Sequence, residues 1–148
     1  MTRDEAEQMR LELERRISML QPDATPRWGR LTAPLMICHL SDQLRIALGQ
    51  LPARPRHSIL RYAIFRELAL YMLPWPQGKV EGASEMFSTP PAQWPEDIMT
   101  LRGLMGRLVE EEHRGRWPDH PIFGHMSRGD WLALTRRHFD HHLRQFGV

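Results

Sequence analysis

The chain has 148 residues, 41% hydrophobic and 26% charged, which suits one folded domain with one core. Its 20 Lys and Arg nearly balance 18 Asp and Glu, and the formal net charge of +2 supplies no field to draw it to nucleic acid or an anionic membrane. The single cysteine, Cys38, excludes an internal disulfide; no apolar run nears the roughly 20 residues of a membrane span and residues 1–16 are charged throughout, so a cytoplasmic location is expected.

Thr2 and Glu5 are spaced as a capping box, and Ala6, Met9, Leu13, Ile17 and Leu20 recur at three- and four-residue intervals. A first helix to about residue 20 follows. Thr32 and Pro34 open a second, whose inner stripe is Leu35, Met36, His39, Leu40, Gln43, Ile46 and Ala47, and Gly49 and Pro52 end it. A third is expected over 58–72, with Ile59, Leu60, Ala63, Ile64, Leu68 and Met72 as its core face and Pro74-Trp75-Pro76 as its stop. Residues 74–95 form a long connection with five prolines. It is either a solvent-exposed crossover or a cover over a site anchored by Trp75, Phe87 and Trp94. Pro95 starts a fourth helix expected to reach about residue 113, and Ser127 with Asp130 caps a last one running to about 146. No stretch alternates as a strand would. The fold class is all-α: four core helices plus an additional short helix or long crossover loop, in a single domain over 1–148.

Eight histidines are present, and His120, His125, His138, His141 and His142 fall in the last thirty residues. His138 and His142 are four apart on a helix, about 40° apart around its axis, so both can point at one ion. They share a stripe with Trp131, Leu134 and Gln145, which turns them inward. Two imidazoles alone do not hold zinc or nickel tightly; a third ligand has to come from another helix, and His39 faces inward on the second. Asp42, one turn on, is placed to orient a ligand imidazole, unless it serves only as an ion-pair partner for Arg45. His141 points about 100° away from His142, so it is expected near the site rather than in it. His120 could line the site or receive a proton, or its loop could simply be rigid, with Phe123 packed on the bundle. Cys38 reads as a small buried residue. Glu110, Glu111 and Glu112 point in three directions and make a poor ligand set.

The stretch from Trp28 through Leu31-Thr32-Ala33-Pro34 and His39-Leu40-Ser41-Asp42 resembles the second-helix signature of the DinB/YfiT-like superfamily, helical bundles of damage-inducible and metal-dependent proteins. The run His120-Pro121-Ile122-Phe123-Gly124, then Trp131, then His138 to Phe146, resembles a subfamily of unknown function, as does Pro74 to Lys79. The resemblance implies a four-helix bundle, usually homodimeric. It also implies a divalent ion, nickel or zinc, on one histidine of the second helix and a His-x-x-x-His pair of the last, here His39, His138 and His142. Some relatives are thiol-dependent transferases or isomerases; many have no assigned activity.

Two functions follow as expectations. In one, the chain is a metal-dependent enzyme, transferase- or hydrolase-like, whose ion activates a low-molecular-weight thiol or water. In the other, it is a non-catalytic dimeric helical module with a vestigial or structural metal site. A nucleic-acid partner is not expected, since no basic run is interleaved with aromatics.

Overall fold

Two capping boxes start the first and last helices. In a computed structural model that describes residues 1–77 and 84–148, Glu5 N–H donates to Thr2 Oγ1 (3.3 Å) and Thr2 N–H to Glu5 Oε2 (2.7 Å). This opens α1, Arg3–Ser18, which buries Ala6, Met9, Leu13 and Ile17 as its spacing demands. Ser127 and Asp130 exchange the same pair of bonds at the start of α5, Arg128–Gln145. Each box satisfies amide donors that a helix start would otherwise leave free.

Between them, Thr32 caps α2, Ala33–Ala47, with Pro34 in the first turn. This helix is buried nearly all round: Ile37, Cys38, Ser41, Asp42 and Leu44 are inside along with the expected stripe, while Leu35 is exposed. Packing on several sides explains it, because α2 lies against both α4, Trp94–Glu110, and α5, and against the short turn at Ser84–Phe87. α1 packs on α4 and α5 across the bundle. The chain is thus all-helical among the described residues. No helix among them is long and apolar enough to cross a membrane.

The expected third core helix is not one. Residues 58–72 form a 3-10 turn, Ile59–Arg61, then α3, Ala63–Glu67, which continues as a π-helical turn, Leu68–Met72. Tyr62 between the first two is extended (φ −77°, ψ 135°), and Leu73 N–H reaches back five residues to the Leu68 carbonyl, the wide turn closing where Pro74 forbids continuation. Of this stretch only Leu70 is buried; Ile59, Ile64 and Met72 are exposed. The bundle is built from α1, α2, α4 and α5.

α4 also stops earlier than residue 113. Arg128 donates to the Val109 carbonyl (2.8 Å) and the Glu111 carbonyl (3.2 Å), so α5 supplies the partners that further helical turns would have supplied. The 117–126 connection buries Trp117, Phe123 and Met126, and His120 and Gly124 pair their backbones in both directions at 2.7 and 2.8 Å. Gly124 makes that tight return with φ +71°. Of the long connection, residues 78–83 lie outside the described residues.

Candidate metal centre

Helix periodicity brings His39 of α2 and His138 and His142 of α5 to one point. Their ligand atoms all lie within 4.8 Å of one another. His138 Nε2 is 2.9 Å from His39 Nε2 and 3.1 Å from His142 Nε2, with the rings edge to face. His39 is 3% and His138 7% exposed, and His142 is half-buried.

The protons of two of these rings are fixed from outside. His39 Nδ1 is 2.9 Å from the carbonyl of Met86. A carbonyl only accepts, so Nδ1 carries the hydrogen and Nε2 of the neutral ring a lone pair. His142 Nδ1 is 2.8 Å from Gln145 Oε1. The amide's orientation is set by its other end, where Gln145 Nε2 donates to the Trp28 carbonyl (2.7 Å). His142 therefore also directs a lone pair inward from Nε2. His138 can contribute at most one hydrogen on Nε2, enough for one of its two neighbours. At least one pair of lone pairs thus faces across about 3 Å with nothing between them, an arrangement that a cation relieves. Three nitrogens on one zinc at about 2.0–2.1 Å, set tetrahedrally, stand roughly 3.3 Å apart. The two contacts of His138, at 2.9 and 3.1 Å, are a few tenths of an ångström shorter than that, and the donor set fits a borderline divalent ion.

All three rings are held neutral. Burial lowers the pKa of His138 well below the ordinary value, and the neighbouring imidazoles lower it further. Burial, then His39, brings His142 to about 3, against the opposing Gln145 bond. Burial also lowers His39, with the Met86 carbonyl and the Asp42 charge opposing.

Asp42 does not orient His39 directly; the acceptor on that imidazole is the Met86 carbonyl. Fully buried, Asp42 accepts from Thr89 N–H (2.8 Å), Thr89 Oγ1 (2.6 Å) and Arg45 (2.8 Å). The Arg45 pairing is thus present, and the Thr89 bonds pin the chain just after the Ser84–Phe87 turn. That turn supplies the Met86 carbonyl, and Phe87 stacks on His39 with centroids 4.4 Å apart. Of the expected anchors, Trp75 stands 6.0 Å from His138, its indole N–H spent on the Ala69 carbonyl, and Trp94 packs partly buried against the core.

His141 stays outside the cluster, edge-on to Trp28 (5.8 Å) and His142 (5.2 Å). His120 is buried in its loop, where Nδ1 accepts from the amides of Ile122 (3.1 Å) and Phe123 (3.2 Å). Cys38 is buried and its thiol is pushed up to about 11, first by burial and then by Asp97 and Asp42, which leaves it a poor nucleophile. Asp140, without an expected role, ties α5 to Arg16 of α1 (2.9 Å).

Gln145 and the Met86 carbonyl were not foreseen as partners of the cluster. Gln145 sits three residues after His142 on the same stripe, a spacing that could have suggested it. A loop carbonyl leaves no mark in a sequence. Gly29 belongs to the same support: at φ +77°, its place would put a Cβ 2.9 Å from Gln145 Nε2.

Comparison with curated proteins and with solved structures gives no match. Residues 76–147, which hold Met86, His120, His138, His142 and Gln145 but not His39, match the model of a family described as a protein of unknown function (DUF1569).

Proposed function

We propose that the chain is a metal-dependent enzyme of the DinB/YfiT kind, in which His39, His138 and His142 hold one nickel or zinc ion. The observation that carries this reading is the convergence of three imidazole nitrogens, two of them fixed as lone-pair donors by Met86 and Gln145. Outer hydrogen bonds of this kind orient metal-binding histidines. No fourth Cys, His, Asp or Glu joins the cluster among the described residues, and three protein ligands are the pattern of a reactive rather than a closed structural site. That favours catalysis over a structural ion.

A divalent ion held there supplies Lewis acidity, which lowers the pKa of a thiol or of water at neutral pH. The chain's own residues do the rest. Burial keeps the three imidazoles unprotonated, with Phe87 stacked on His39 and Trp75 beside His138. Cys38 is unsuited to supply the thiol, so a thiol substrate would come from solution as a small molecule. Transfer to or from such a thiol, or hydrolysis, is the proposed reaction class. We read the working unit as a homodimer, supported by the exposed apolar side chains Ile59, Tyr62, Ile64, Phe65, Met72 and Leu73 around α3.

The test is zinc and nickel titration of tag-free protein against a chelating indicator, beside a triple His39→Ala, His138→Ala, His142→Ala variant. The expected result is one tight equivalent in the unaltered protein and none in the variant. Equal, negligible uptake by both would remove the reading.

A further inference from the structure

Next to the cluster lies a cleft of about 250 Å³. Leu60, Trp75, Ile122 and Phe123 are among its walls, and His138 and His120 line it too. Apart from these two imidazoles, the one side-chain nitrogen or oxygen among its described walls is the Trp75 indole N–H, already bonded to the Ala69 carbonyl; Met86 adds only a thioether sulfur, a weak acceptor. His138 thus faces both the metal centre and this cleft.

His120 is the unexplained member. Its Nδ1 accepts two backbone amides, so the neutral ring must carry its hydrogen on Nε2. That Nε2 is buried and has no hydrogen-bond partner. Buried donors are seldom left so. Turning the ring would not solve the problem, because it would take the Nδ1 acceptor away from the Ile122 and Phe123 amides. A lone water is a poor solution, since it needs two to four polar partners and the walls offer few. What fits is an acceptor carried on an apolar body. An engineered cavity of about 150 Å³ takes benzene, so this one suits a body on the order of ten non-hydrogen atoms.

We infer that this cleft binds a small, largely apolar molecule with one carbonyl oxygen, a ketone, aldehyde, ester or amide, which accepts the Nε2–H of His120. The claim that this molecule is what the enzyme acts on rests on the metal-centre reading; the claim that the cleft binds it does not.

The test uses a matched pair of probes: acetophenone, and α-methylstyrene, which has the same shape with CH₂ in place of the oxygen. Both are titrated into the full chain, zinc-loaded and chelator-stripped, while ¹⁵N–¹H spectra follow the histidine and indole signals. Acetophenone is expected to bind about three- to tenfold more tightly and to move the His120 Nε2–H signal downfield. His120→Asn keeps an acceptor for the Ile122 and Phe123 amides through Oδ1 but lacks the Nε2–H, so the preference should vanish. Equal affinities in unaltered protein would overturn the inference whether or not the variant folds. So would a preference that survives His120→Asn, or no response at Trp75 to either probe. A preference in stripped protein that takes up no zinc supports the cleft and removes only the metal reading. Zinc uptake without the preference does the reverse.

Discussion

Gln145 settles which nitrogen of His142 is free, and its own orientation is settled by the Trp28 carbonyl. Replacing it with Leu keeps its bulk, leaves the Trp28 carbonyl without its donor, and frees His142 to turn or change tautomer. Metal affinity should fall about 10- to 100-fold with little change in helical circular dichroism; unchanged affinity would mean that the amide bond is incidental. His120 makes a different prediction. Burial holds its pKa at about 3, against about 6.5 in an unfolded chain. The unfolded state then binds the proton more readily, so stability is complete above pH 6.5 and is lost as pH falls toward 3. Between pH 8 and pH 5 this one residue should cost about 2 kcal/mol, at about 1.4 kcal/mol per unit below 6.5. Urea unfolding at both pH values should show a loss smaller by about that amount in His120→Asn. At this scale helical spacing was enough to turn His39, His138 and His142 inward, and their ligand atoms do meet within 4.8 Å. It could not show the Met86 carbonyl, because backbone acceptors have no residue type. It set Asp42 on the right helix but not against Thr89, a contact 47 residues away.

Among the elements, the Ser84–Phe87 turn is the one on which His39 depends. Nothing in α2 orients that imidazole; the turn does, and Asp42 holds the turn through Thr89. Asp42→Ala should cost about 1–3 kcal/mol, since the Thr89 amide and hydroxyl lose their acceptor, while Arg45, a quarter exposed, keeps Thr89 Oγ1 as a partner. It should also weaken metal binding although Asp42 touches no ligand. Denaturant unfolding and the indicator titration measure the two effects separately; a loss of stability with full metal affinity would show that the turn does not set His39. The boundaries of α1, α2 and α5 were readable because caps and spacing agree there. α3 was not, because a 3.6-residue apolar period says that one face wants cover without saying what covers it. Here Tyr62 leaves the helix, and most of that face stays open. α4 was overrun for a related reason: Arg128 of α5 ends it from a distance.

For the whole molecule, the four long helices converge their buried faces while the α3 region leaves Ile64 and Met72 exposed. If a second copy covers this face, light scattering should give a dimer, and Ile64→Glu with Met72→Glu should give a monomer of undiminished metal content. A monomer in the unaltered protein at high concentration would contradict the dimer. The metal centre is the larger claim, since the functional reading hangs on it. X-ray anomalous scattering, collected on either side of the nickel and zinc absorption edges from crystals of tag-free protein, tests it directly. One peak is expected, bonded to the Nε2 atoms of His39, His138 and His142 at about 2.0–2.1 Å. Crystals grown with added zinc and nickel that show no peak there, with the three imidazoles bridged only by water or protons, would contradict it.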